Sequence, residues 1–129
     1  MPRAYSFCYP KGHLISQGGK EMVTRVINCT IQLARVDEFR NAINGEFLPR
    51  IQAQAGFLEN IESCDPASGE YCCVTLWKSA SDVRNYDNGL FQEIAARLVP
   101  MMQGTPTVRT LPVENSSVHN IRAGAQAVA

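Results

Sequence analysis

The sequence predicts an α+β domain in the order β-α-β-β-α-β, with one four-stranded antiparallel sheet. Three observations predict it. A β-branched run fills residues 23–34, apolar residues then change to three- and four-residue steps, and a turn cluster splits two further alternating runs. The chain has 129 residues, enough for one domain that needs no metal or disulfide staple.

The first strand is VTRVINCTIQLA, residues 23–34. Alternation puts Ile27, Cys29, Ile31 and Leu33 on one face and Val26, Asn28, Thr30 and Gln32 on the other. Residues 36–55 read as a helix, with Val36, Phe39, Ile43, Phe47 and Ile51 along its buried face. Asp37 and Glu38 suit its positive N-terminal end. Asn44-Gly45 and Pro49 predict a kink or a split. Residues 57–64 and 70–78 are two strands joined by Asp65-Pro66-Ala67-Ser68-Gly69, a hairpin with a five-residue loop.

Ser79 and Asp82 open a helix as a capping-box-like pair. Asn88-Gly89 interrupts it, and Leu90, Phe91, Ile94, Leu98 and Met101 resume a helical face that ends near Gly104. Residues 106–113 are the fourth strand, with Pro112 at its edge or end. The expected division is an N-terminal arm at 1–21, the folded domain at 22–113 and a mobile C-terminal tail at 114–129. Met22, directly before the first strand, reads as a native start. The order is that of a doubled split βαβ unit, a ferredoxin-like arrangement. Its sheet carries apolar residues on both faces, and two helices cover only one, so a homodimer is expected.

Composition narrows the function. Twelve Lys and Arg balance twelve Asp and Glu, which removes the electrostatic footprint of a nucleic-acid or anionic-membrane binder. No apolar run is long enough to span a membrane, and residues 1–21 lack a signal-peptide core. Five cysteines without a C-x-x-C motif fit reduced thiols and a cytoplasmic location. The two histidines, His13 and His119, lie in opposite tails, so no metal site is expected.

Residues 23–113 resemble the antibiotic biosynthesis monooxygenase domain, a branch of the dimeric α/β-barrel superfamily. The resemblance rests on Ala55-Gly56-Phe57-Leu58, on Val74-Thr75-Leu76-Trp77-Lys78-Ser79 and on Leu90-Phe91-Gln92. It implies a cofactor-independent monooxygenase that oxidises a small aromatic or quinol-like substrate with O2. A non-catalytic ligand-binding or scaffold module of the same fold is a second reading, and a haem-binding or haem-degrading protein a third.

The resemblance also implies site residues. Trp77 stands where polyketide-oxidising relatives line the pocket with Trp, and Arg97 where they carry a pocket Arg. Tyr86 lies where many relatives have His, as a hydrogen-bond donor or proton relay. Trp77, Arg97 and Tyr86 are therefore the expected catalytic set. Asn28, Cys73 and Ser63 are the expected substrate-binding set: Asn28 matches an Asn used by haem-cleaving relatives, while Ser63 and Cys73 replace a His and an Asn of polyketide-oxidising ones. An obvious base is missing.

Overall fold

The computed structural model describes residues 21–119 and the backbone of 121–122. Residues 1–20 of the expected arm at 1–21, and residues 120 and 123–129 of the expected tail, lie outside the described residues. β1 (Val23–Ile31) sits inside the sheet, flanked by β3 (Glu70–Trp77) and β4 (Met102–Pro112), and β2 (Phe57–Cys64) forms the far edge. The order β2-β3-β1-β4, with every pairing antiparallel, is the ferredoxin-like sheet.

β1 ends three residues earlier than its composition suggests. Gln32 N–H bonds to Met101 C=O, and Leu33–Arg35 turn into a short 3-10 helix that leaves Leu33 57% exposed. The first helical region is split, as Asn44-Gly45 and Pro49 foretell. α1 (Val36–Asn41) passes into a π-helical stretch, Ala42–Phe47, and then into α2 (Leu48–Gln52). Pro49 has no N–H to offer the carbonyl one turn back, and Leu48 N–H bonds instead to Ile43 C=O, five residues earlier. The apolar face survives this widening: Val36, Phe39, Ile43, Phe47 and Ile51 are all buried.

The β2–β3 hairpin closes through Asp65–Gly69. Asp65 accepts from Ala67 N–H and Ser68 Oγ, and Ile31 N–H donates to Gly69 C=O at 2.7 Å. Gly69 has φ +83°, and a Cβ there would strike the Ile31 carbonyl, so only glycine fits the loop end. Ser79 caps α3 (Ala80–Asn88), accepting from Asp82 N–H at 3.2 Å. Gly89 separates α3 from α4 (Leu90–Leu98).

β4 begins at Met102, four residues before the expected start. Gly104 therefore lies in a strand rather than near a helix end. It has φ +71° and accompanies a register shift on β4 opposite Asn28–Thr30, as a bulge requires. Part of the expected tail is paired as well: β5 (Asn115–Ser116) runs antiparallel to β6 (Ile121–Arg122). The core lies between the helices and one sheet face, with Val23, Phe39, Trp77, Tyr86, Phe91, Ala95 and Met101 at its centre.

Candidate active site

Strand register builds the helix-facing side of the sheet as ordered rows. Arg25 on β1 lies opposite Thr75 on β3, which lies opposite Asn60 on β2. The next row is Ile27, Cys73 and Glu62, and the next Cys29, Tyr71 and Cys64. Paired residues share a face, so all nine belong to the side that the helices cover. A cavity of about 40 Å³ lies there, lined by Arg25, Glu62, Tyr71, Cys73 and Tyr86 among apolar side chains such as Phe39, Phe91 and Ile94. An open pocket of about 220 Å³ adjoins it and shares Ile43, Glu62 and Tyr71.

Arg25 is the unexpected residue. It is 2% exposed, and its Nε donates to Asp87 Oδ1 at 2.8 Å. Its guanidinium carbon stands 4.0 Å from the centre of the Phe91 ring and 5.2 Å from that of Tyr86. Ring faces and one carboxylate together stabilise a cation away from water. Its Nη2, however, is buried with no hydrogen-bond partner. A buried guanidinium N–H without an acceptor is costly, so this is the place where a ligand oxygen gains most.

The aromatic wall is continuous. Trp77 packs on Tyr86 with ring centres 4.9 Å apart, Tyr86 on Phe91 at 5.8 Å, and Phe57 meets Trp77 edge-on at 5.7 Å. Trp77 is fully buried, and its Nε1–H donates to Thr75 Oγ1 at 2.7 Å. Its single donor is therefore occupied. Across the cavity, Tyr71 Oη donates to Glu62 Oε1 at 2.8 Å, and Cys73 Sγ lies 3.1 Å from Asn60 Oδ1.

Burial governs titration here. It pushes the Cys73 thiol up to about 12, assisted by the nearby Glu62 charge, and raises the Tyr86 phenol. Burial also raises the Tyr71 phenol, with Cys73 and Glu62 adding to the effect. All three stay protonated at neutral pH. Among the described residues no group of three or more His, Cys, Asp or Glu could hold a metal ion, and no helix is long and apolar enough to cross a membrane.

The six expected site residues divide into three places. Trp77, Tyr86 and Cys73 come together on the helix-covered side. Asn28 and Ser63 lie on the opposite sheet face, where both line an open groove of about 670 Å³. Arg97 stands apart from both. It is 43% exposed on the outer side of α4, 3.5 Å from Glu38 and 3.8 Å from Glu46. Its expected place beside Trp77 is not where this helix puts it, because Ile94, Ala95 and Leu98 occupy the inward face.

Arg25, Glu62 and Tyr71 were not singled out from the sequence, although a signal for each exists. Arg25 is two residues before Ile27 in an unbroken strand, so alternation turns it inward. Glu62 and Tyr71 follow from the hairpin register once the five-residue loop is placed.

No family model matches the chain, and no curated protein matches it. Solved structures do. A monooxygenase of Streptomyces coelicolor, in complex with nanaomycin D, superposes with a TM-score of 0.64 at 15% identity, over 75% of this chain and 91% of that one. A candidate antibiotic biosynthesis monooxygenase from Caulobacter crescentus gives 0.63 at 21%, over 73% and 91%.

The chain has the antibiotic biosynthesis monooxygenase fold.

The same fold extends to a conserved protein of Methanosarcina mazei, with a TM-score of 0.65 at 13% identity over 72% of this chain and 93% of that one. The antibiotic biosynthesis monooxygenase fold is thus shared at 13–21% identity. What this chain does with the fold rests on its own residues.

Proposed function

We propose that this protein is a cofactor-independent monooxygenase for a small aromatic or quinol-like substrate, acting in the cytoplasm as a homodimer. The observation that carries the reading is Arg25 Nη2, an unpartnered guanidinium nitrogen in an aromatic-walled cavity. Oxidation by O2 without a cofactor requires an electron-rich ring to lose a proton first. Its anion then supplies the electrons. A permanent cation lowers the cost of that anion and of the oxyanion that follows. In the balanced reaction a phenol becomes a quinone: one oxygen atom enters the ring, and the other leaves as water with two substrate hydrogens.

In this reading Arg25 takes the anionic oxygen, the part expected of Arg97. Tyr86 and Phe91 face the ring, Trp77 backs Tyr86, and Cys73 lines the floor as a neutral thiol. The resting cavity is smaller than the roughly 150 Å³ that accommodates a benzene ring, so the ring enters with side-chain movement. The adjoining pocket at Ile43, on the π-helical stretch, provides the room. Asn28 and Ser63 belong to the face proposed for the second subunit.

The small resting volume favours one other reading, a non-catalytic module whose core is simply filled. Oxygen uptake by metal-free protein with a panel of quinols and anthrone-like phenols separates the two. Uptake that saturates with one phenol and yields its quinone is the expected result. Absence of uptake across the panel, with no phenol bound, leaves the module.

A further inference from the structure

We propose that Glu62 is the proton acceptor of this site, held in place by Tyr71, and that it completes the chemistry by pairing with Arg25 across one cavity. The inference rests on the monooxygenase reading and supplies the base that reading lacks. Three observations carry it.

The first is position. Glu62 lines both the inner cavity and the open pocket, so a proton it takes from a buried ring has a route to solvent that crosses no apolar layer. The second is orientation. Tyr71 is 7% exposed, and its hydroxyl donates to Glu62 Oε1 at 2.8 Å and leaves the other carboxylate oxygen available. A neighbouring strand thereby holds a side chain that would otherwise rotate at an edge strand. The third is elimination. The titratable and charged groups that share these linings with Glu62 are Tyr71 and Cys73 from β3, Cys64 from its own strand, Arg25 from β1, Arg40 from α1 and Tyr86 from α3; α4 presents only apolar side chains. The cavity's thiol and phenols are kept protonated by burial, and an arginine cannot accept a proton. Asp87 is engaged by Arg25 Nε and does not line the cavity. Glu62 is the carboxylate that does.

The step is a simple transfer. The substrate O–H bond breaks, its proton goes to a Glu62 oxygen, and the electron pair stays on the substrate oxygen, which accepts from Arg25 Nη2. No electron leaves the substrate until O2 arrives.

Two measurements test the role. The first follows kcat/KM for oxygen uptake against pH with the best phenol. Glu62→Gln keeps the shape and removes the base. It should lower kcat/KM by about 100-fold near neutrality and abolish the fall in activity on the acid side. Glu62→Asp should restore at least a tenth of the wild-type value. Glu62→Gln activity within about threefold of wild type overturns the proposal.

The second needs neither turnover nor a variant. 4-Nitrophenol, whose anion absorbs in the visible, is mixed with wild-type protein in weakly buffered solution at about pH 6, where most of the free compound keeps its proton, and the phenolate band is read relative to that of the free compound. The expected result is a growing phenolate band with no proton released, because Glu62 retains it. One proton released per phenolate formed, or no phenolate band at all, overturns the proposal. Retained protons without oxygen uptake would keep Glu62 as acceptor and reject the monooxygenase reading instead.

Discussion

The two faces of the sheet are made from the same strands in alternation, yet they differ in every property that matters for chemistry. The helix-covered face holds Arg25, Thr75 and Trp77, all nearly inaccessible, and polar atoms there meet designated partners or a small cavity. The other face presents exposed Asn28, Ser63 and Thr107 around a wide groove, with Ile61 54% exposed on the edge strand. A one-residue step along a strand moves a side chain from one environment to the other. Cys73 faces Glu62, and burial pushes its thiol up to about 12, while the adjacent Cys72 lines the open groove. The electrostatics of this protein is therefore set by strand parity more than by residue type.

The largest expected effect comes from breaking the inner face at its charge. Arg25→Ala removes the 2.8 Å guanidinium contact to Asp87 and the packing of that guanidinium on Phe91 and Tyr86. Truncating one partner of a buried pair costs about 3–5 kcal/mol. Urea unfolding should show a loss of that size. A loss below about 1 kcal/mol would mean that the buried Arg25 pair contributes no more than an exposed one, and that the two faces differ less than their burial implies.

The outer face sharpens the comparison differently. If a second subunit covers it, sedimentation equilibrium should give about twice 14.2 kDa. Ile61→Asp would place a charge on the outer face of the edge strand, within that contact, and should weaken dimerisation at least about tenfold, equivalent to about 1.4 kcal/mol. Monomer stability should change little, since Ile61 is already half in water. A monomeric wild type at micromolar concentration removes the cover and leaves the outer face as a solvent surface.

How far the sequence revealed this arrangement depended on which signal each element carries. The four strands, the hairpin loop and the Ser79 cap are local patterns, and each was legible. Boundaries failed where tertiary contacts decide them. β1 stops at Ile31 because Gly69 and Met101 take its next backbone groups, and β4 starts at Met102 because a bulge at Gly104 lets a loop sequence pair. The site was half legible. Trp77, Tyr86 and Cys73 meet because they share strand parity and one helix face. Arg97 was placed by position along a helix, where a shift of one residue turns a side chain by about 100 degrees and moves it from core to solvent. Arg25 was not singled out, and composition gave no prompt to do so, because charged residues are so rarely found fully buried.

A smaller effect reads the inner face through pH. Cys29 and Cys73 have their thiols raised from 9.0 to about 12, mainly by burial. In the unfolded chain both ionise near the ordinary value, while in the folded chain they do not until much higher pH. The native state thus holds protons that the unfolded state has lost. Stability from these groups is fully present below about pH 9 and falls between about 9 and about 12. The urea midpoint should decline across that window, and Cys73→Ser should decline less steeply. An unchanged slope in Cys73→Ser would show that the thiol is not held neutral by its surroundings.

The smallest effect belongs to the other arginine. Arg97 and Arg25 carry the same charge and each faces carboxylates, but Arg97 is 43% exposed, 3.5 Å from Glu38 and 3.8 Å from Glu46. Glu38 also receives Arg35 at 3.0 Å, so removing Arg97 leaves that carboxylate still paired. Water screens both contacts, and such exposed pairs contribute about 0–1 kcal/mol. Arg97→Ala should therefore shift urea unfolding by less than about 1 kcal/mol, several times less than Arg25→Ala. Its effect on kcat/KM should be small and independent of pH, because a cation outside the cavity cannot favour ionisation of a substrate within it. Should Arg97→Ala instead lose activity strongly near neutrality and recover it at alkaline pH, the anion-binding role belongs to α4. The inner face would then supply the walls of the site and not its charge.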